Sequence, residues 1–441
     1  MNRHLIKTAL FITLMCLSLT ANAQNKPLQL TAKEISQVIE STAKLLNNNY
    51  VYPDKAEKIA KQLKKNLKRG AYKKLTDPML LAEKIQQDLV SVVDDTHLIF
   101  EFNPDLVTHL RQDESKLANS WSIETQSPDM HRFNYGFESV KMLEGNIGYI
   151  KINNFFDTEF ASETATGAMN FLSNSDAIIF DLRQNSGGNW RMVQLISSYL
   201  FDTTPVHLSG FYWRPEDKHT QNWTLPYVPG KRNPNAEVFI LTSANTHSAA
   251  EEFTYNLKHL KKATVIGEVT MGGAHPGIFK PVNDLFALFL PIGKSTNPIT
   301  HTNWEGKGVQ PHIAVPAADA LTEAKVQALE KLSNKYPDMH GELYRWYLIS
   351  EKAKRNPVEL DQKTLESYTG TYGPRTLLLE GNDMYYQRAG GPKLLLNALE
   401  SDLFELDADN SFRMRIIKED GKVTALQGIF DNGFKDIFSK Q

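Results

Sequence analysis

The sequence predicts an α/β fold, because from Gly145 onward short apolar strands alternate with stretches of helical periodicity. Ala177 to Phe180 reads as a buried strand that runs into Asp181-Leu182-Arg183, and Met192 to Leu200 follows as a helix. Glu237 to Leu241 is a second buried strand, after which Ala249, Phe253, Leu257 and Leu260 recur at helical spacing. A helical pattern precedes this core and a series of short strands follows it.

The first residues carry a separate signal. Arg3 and Lys7 precede an apolar run from Ala9 to Leu19, and Ala21-Asn22-Ala23 is a small-x-small cleavage pattern. The run is too short to span a membrane, so residues 1–23 read as a cleaved secretory peptide. Cys16, the chain's one cysteine, lies inside it. The mature chain is therefore expected to have no disulfide, no thiolate metal site and no cysteine nucleophile. Export from a bacterial cytoplasm, into a periplasm or beyond, follows as an expectation. The 441 residues suffice for two or three domains, and a formal charge of −2 argues against nucleic acid as the main partner.

Residues 24–105 read as a helical subdomain. Ile35, Ile39 and Leu45-Leu46 mark a first helix, Ile59, Leu63 and Leu67 a second, and Asp77-Pro78 opens a third through Leu81, Ile85 and Leu89. The lysines around the second helix read as a solvated face. Asp94-Asp95-Thr96-His97 then leads into a strand, Leu98 to Phe102. A histidine at such a boundary is either a structural hydrogen-bonder or a base. Arg111 to Pro128 reads as a polar surface linker or flap anchored by Trp121.

In the core, residues 106–316, Ser248 sits where a strand has ended and a helix begins. Amides of a first helical turn favour a developing oxyanion, which suits a nucleophile. Ser248-Ala-Ala-Glu251 is equally a capping box, in which the serine only closes the helix end. Asn185-Ser186-Gly187-Gly188 is a turn whose consecutive amides can form an anion-binding nest. The glycines match neither a phosphate loop nor a dinucleotide fingerprint.

The Ser248 stretch together with Asp181-Leu182-Arg183-Gln184-Asn185-Ser186-Gly187-Gly188 resembles the tail-specific, or C-terminal processing, serine peptidases. That family also includes the tricorn core protease and the interphotoreceptor retinoid-binding modules. The resemblance spans roughly Gly145 to Pro316, plus the piece near His97. It implies a crotonase-like ββα core and, for this chain, oxyanion donors at Gly187 or Gly188 and at Ala249. The C-terminal processing branch uses a serine–lysine dyad, but Thr270-Met271-Gly272-Gly273-Ala274 holds no lysine. Three features resemble the tricorn and retinoid-binding branch instead: Gly272-Gly273-Ala274-His275-Pro276, Thr96-His97, and Glu305 shortly before Gly308-Val309-Gln310-Pro311.

The resemblance thus implies a triad of His97 as base, Ser248 as nucleophile and Glu305 as orienting carboxylate, with an acyl-enzyme intermediate. Glu305 read alone is an exposed loop carboxylate. His275 is the second candidate base, or a substrate contact with Gly272 and Gly273, whereas His247 is expected to diverge from its serine neighbour. Trp190 and Arg191 line the substrate cleft or, for the tryptophan, pack the helix start. No clustered zinc-ligand spacing occurs, and neither metal nor organic cofactor is expected. Many relatives insert a PDZ module before the core; Phe102 to Gly145 is too short for one.

Residues 317–356 read as a charged helical connector. Residues 357–441 form a β-meander that resembles small lipocalin-like modules appended to secreted bacterial hydrolases, expected to be accessory. The leading expectation is an exported serine peptidase acting on proteins or oligopeptides. The competing one is a binding protein for apolar ligands on the same scaffold. Oligomeric state stays open.

Overall fold

The computed structural model describes residues 28–112, 130–337, 339–407 and 409–441. The leader and the segment around Trp121 lie outside them. Helices α1 (Ala32–Asn49) and α3 (Pro78–Val90) begin at sequence-legible caps, whereas α2 (Pro53–Lys68) starts at Pro53 after Tyr52, which makes no side-chain cap. Thr31 and Glu34 form a reciprocal capping box, and the Asp77 carboxylate accepts from the amides of Met79 and Leu80. Strand β1 (Ile99–Phe102) and helix α4 (Pro104–Gln112) follow.

The core sheet starts with β2 (Phe137–Leu143) and β3 (Ile147–Ile152), then α5 (Thr158–Phe171), β4 (Ala177–Asp181) and α6 (Trp190–Tyr199). A hairpin of β5 (His207–Trp213) and β6 (Lys218–Trp223) intervenes before β7 (Glu237–Thr242), α7 (Ala249–His259) and β8 (Ala263–Gly267). Strands β9 (Gly277–Pro281), β10 (Phe286–Pro291), β11 (Gly293–Thr296) and β12 (Ile313–Ala314) follow, and of these only β12 joins the core sheet. Six strands form one sheet in the order β12-β8-β7-β4-β3-β2, parallel throughout except for β2.

Successive residues of a strand face opposite ways, so a sheet covered on both sides needs apolar residues at every position. Here Ile178, Phe180, Val238 and Ile240 pack under α5, α6 and α7, while Ala177, Ile179, Phe239 and Leu241 face the other layer. That layer is α8 (Ala320–Lys335) and α9 (Met339–Arg355). The stretch expected as a connector is thus part of the core. Ala320, Ala324 and Ala328 form a small-residue stripe that lets α8 lie close on the sheet, with Leu329 and Leu332 filling the remaining space.

The N-terminal helices share one core with a three-stranded sheet of order β1-β10-β9. Ile39, Leu46, Ile59 and Leu89 pack with Phe286, Leu288 and Leu290, and with Phe211 and Trp213 of β5. Burying such a side chain stabilises by roughly 1.5–3 kcal/mol each. This packing holds the segment after α3 against the sheet.

After α10 (Gln362–Tyr368) come β13 (Gly370–Tyr372), β14 (Arg375–Glu380), β15 (Asp383–Arg388), β16 (Lys393–Ala398), β17 (Leu403–Leu406), β18 (Asp409–Glu419), β19 (Lys422–Phe430) and β20 (Lys435–Ser439). They pair in sequence order as an antiparallel meander, and a bridge between Tyr372 and Lys440 brings first and last strands together as a barrel-like domain. Arg413 stacks 3.7 Å over Trp346 and donates to Ser350, tying this domain to α9.

Candidate active site

In an open parallel sheet the loops beyond the carboxyl ends of the strands converge, and ligands bind there. Three such loops meet here: 182–189 after β4, 243–248 after β7 and 268–276 after β8. Each strand end is pinned. The Asp181 carboxylate takes Arg183 Nη2 at 2.6 Å and the Tyr149 hydroxyl at 2.7 Å, and Arg183 Nη1 donates to the Ala317 carbonyl. This pair braces the loop.

Ser248 is the residue before α7, with φ 54° and ψ −118°, a backbone conformation that non-glycine residues rarely adopt. Such strain persists only where surrounding contacts enforce it. The main enforcer is Glu251, fully buried, whose Oε2 accepts from the amides of Ser248 (2.9 Å) and Gly273 (2.8 Å). Its Oε1 accepts from the Gly272 amide (2.7 Å) and the Thr270 hydroxyl (2.5 Å). Burial pushes this carboxyl up to about 7, while the four donors favour its charged form. Glu251 therefore does more than close a capping box: it fastens the glycine-rich loop to the nucleophile's helix.

Gly187 packs against Ser248, since a Cβ there would come within 2.6 Å of the serine Cβ. The Gly187 amide donates to Asn185 Oδ1 at 2.8 Å, so it is already committed. Among the described residues the amides of Gly188 and Ala249 donate to no protein group.

Ser248 and His97 line one small cavity of about 60 Å³, together with Gly188, Ala249, Gly273 and His275. His97 is 7% exposed; burial, with His247 beside it, pushes its pKa down to about 3, so the ring is neutral at neutral pH. Its Nδ1 is buried without a hydrogen-bond partner. The His247 ring stacks on it at 4.5 Å, and Thr96 Oγ1 lies 3.1 Å from His247 Nε2. His247 thus lies beside His97; a Cβ on Gly273 would strike both rings, and its absence lets the loop press against them.

His275 is 1% exposed and both its nitrogens are engaged. Nε2 meets the Tyr52 hydroxyl at 3.0 Å, and Nδ1 lies 3.2 Å from Asp95 Oδ2 and 3.4 Å from Glu305 Oε2. Asp95 also accepts from the Tyr50 hydroxyl at 2.8 Å and, through Oδ1, from the His97 amide at 3.0 Å. Burial opposes charge on Asp95, but the His275 contacts hold its carboxyl below the usual range. Glu305 is not the exposed loop carboxylate of the bare reading. It accepts from the Ala274 amide at 2.6 Å, and burial, aided by Asp95, pushes it up to about 7.

The structure therefore pairs Glu305 with His275, and no ion pair joins Glu305 to His97. Glu305 Oε1, like His97 Nδ1, is buried and unpartnered. The ligand atoms of Asp95, His275 and Glu305 lie within 4.8 Å of one another, the one group among the described residues with the spacing to hold a cation. The His275 ring sits between the two carboxylates and accounts for that spacing.

Sequence reasoning assigned no role to Asp95, Tyr50, Tyr52 or Glu252. Asp95, two residues before His97, was the one with a local signal, since an aspartate there can accept from the histidine amide. The tyrosines reach the site only through packing of the α1–α2 link. Trp190 lines the cavity from the start of α6, as Trp304 does from beside Glu305, its Nε1 donating to the Gly273 carbonyl at 2.7 Å. No helix among the described residues is long and apolar enough to cross a membrane.

Residues 146–315 match the family model of peptidase family S41, and residues 21–135 match the N-terminal domain of Peptidase_S41 in eukaryotic IRBP. Among solved structures, the chain is similar to a lipoprotein from Streptococcus agalactiae (16% identity, 68% of this chain and 97% of that one, TM-score 0.45). It is similar also to the photosystem II D1 C-terminal processing protease (13% identity, 65% and 94%, TM-score 0.42) and to the tricorn protease (15% identity, 66% and 35%, TM-score 0.40). With the strand-to-helix serine, the glycine turn against it and the two matched segments in order, the chain belongs to peptidase family S41 and is a serine-type peptidase.

Proposed function

We propose that the protein is an exported peptidase that cleaves proteins or oligopeptides through an acyl-enzyme on Ser248. The observation that carries this reading is the strained Ser248 at the start of α7, sharing a cavity with a neutral, buried His97. His97 takes the Ser248 proton as the hydroxyl attacks the scissile carbonyl, and returns it to the leaving amine. The amides of Gly188 and Ala249 receive the oxyanion. In this reading Glu305 orients His97: Glu305 Oε1 and His97 Nδ1 are each buried without a partner, and a rearrangement on substrate binding brings the two together. His275, with both nitrogens engaged, braces the loop instead of acting as base.

Export rests on the leader motif of residues 1–23, and the C-terminal barrel-like domain serves as an accessory module. The test is covalent labelling of the mature protein by a fluorophosphonate, with Ser248→Ala as control. Labelling that vanishes in the variant is the expected result. A folded wild-type protein that neither labels nor cleaves peptide libraries would return the reading to an apolar-ligand binding protein.

A further inference from the structure

A second cleft, of about 820 Å³, adjoins the cavity of Ser248, and Trp190 and Phe211 line both. One wall is the β5–β6 hairpin; the other is β9 from Ile278 to Pro281. Two features of this cleft are unexplained by the fold. Asn222 on β6 is 2% exposed, lines the cleft, and leaves both its carboxamide donor and its acceptor without a partner. Trp190 Nε1 is likewise buried and unpartnered. Folded proteins leave few such groups unsatisfied, because each costs free energy that a hydrogen bond would recover. Their concentration in one cleft beside the nucleophile points to a ligand that supplies the partners.

The chemistry of that ligand can be read from the groups. A carboxamide offers one donor and one acceptor side by side, the complement of a peptide's C=O and N–H. Strand β9 pairs only with β10 among the described residues, so its other edge presents further unpaired main-chain groups. Phe211, Trp213 and Phe279 make the walls apolar.

We propose that this cleft is a substrate subsite for an extended, apolar peptide segment. Asn222 bridges the main-chain N–H and C=O of one residue, Trp190 Nε1 donates to a neighbouring carbonyl, and a bulky apolar side chain packs against Phe211 and Trp213. The inference rests on the peptidase reading of Ser248 for its substrate, but its test separates the two.

Peptides with one scissile bond are extended residue by residue on either side, and kcat and KM are measured. In the wild type kcat/KM rises on the order of tenfold, mainly through KM, once the peptide is long enough to enter the cleft, as expected for one added set of hydrogen bonds. Asn222→Leu cancels that rise while its Tm stays level or increases, an outcome that a purely structural asparagine would not give. Binding of the longest peptide to Ser248→Ala, read by tryptophan fluorescence, weakens to a similar degree in Ser248→Ala/Asn222→Leu. A length-independent kcat/KM, or a rise that survives Asn222→Leu, overturns the subsite. So does tight binding of decanoic acid that the longest peptide cannot displace, which assigns the cleft to small apolar ligands. Peptide binding that depends on Asn222 in a protein whose Ser248 never labels sustains the subsite and refutes the peptidase reading alone.

Discussion

Glu251 provides the sharpest test of how the site is built. If it served only a capping box, Glu251→Ala would cost about 0.5–2 kcal/mol, the usual value of a cap. The structure places four donors on its buried carboxylate: the amides of Ser248, Gly272 and Gly273 and the Thr270 hydroxyl, all within 2.9 Å. Removing the acceptor leaves these groups to find others, at roughly 1–3 kcal/mol for each one left unsatisfied. Thr270 can rotate and the loop can relax, so the expected loss is about 4 kcal/mol, the lower end of the four-donor sum. Glu251→Gln retains one acceptor oxygen and turns an NH₂ toward two N–H groups, for a loss of about 2–3 kcal/mol. Both variants are unfolded in urea for stability and treated with fluorophosphonate for nucleophile geometry. Labelling should slow in both, because the loop that presses on His97 is no longer fastened to the helix of Ser248. A loss below about 1 kcal/mol in Glu251→Ala, with labelling unchanged, would refute the fastening argument.

Four further outcomes follow from the same geometry. Ser248→Gly should abolish labelling yet raise stability by about 1 kcal/mol in urea unfolding, since glycine adopts φ 54° without strain. Gly273→Ala should suppress labelling at little change in expression, because its Cβ would meet His97 Cε1 at 2.5 Å and His247 Nε2 at 2.3 Å. Glu252, buried and bonded to Ser209, is pushed up to about 7 chiefly by burial. Its folded value exceeds its unfolded one, so its contribution is complete below about pH 4.5 and is lost as pH rises through 7, about 3 kcal/mol at most; the Tm of Glu252→Gln should fall less over that window. Burial keeps His97 neutral well below pH 7, so an ascending limb of kcat/KM near pH 7 reports a carboxyl held near 7, among Glu251, Glu252 and Glu305; its loss in Glu305→Gln but not in Glu252→Gln is the expected result and assigns it to Glu305.

The fold class and the loops were legible because their causes are local. Buried strands such as β4 and β7 are apolar from Ala177 to Phe180 and from Val238 to Leu241 since helices cover both faces, and the caps at Thr31 and Asp77 are spelled in the adjacent residues. Ser248 was legible as a strand-to-helix residue, and the glycine turn as a turn. The role of α8 was not, because a stripe of alanines between charged residues has the same pattern on a connector as on a helix packed against a sheet.

By itself, the sequence determined that helices, strands and turns alternate in this order, that one serine begins a helix after a buried strand, and that the segment 270–274 holds no lysine. Only the tertiary structure decided which side chains meet. It put Tyr50 and Tyr52 from the α1–α2 link, Asp95 from the segment after α3, and His275 and Glu305 from separate loops into one buried network. It also turned Glu251 from a helix cap into a fastening and folded His247 onto His97. These contacts join residues far apart in the chain, and their distances are set by how helices and sheets pack, for which periodicity along a single segment carries no information.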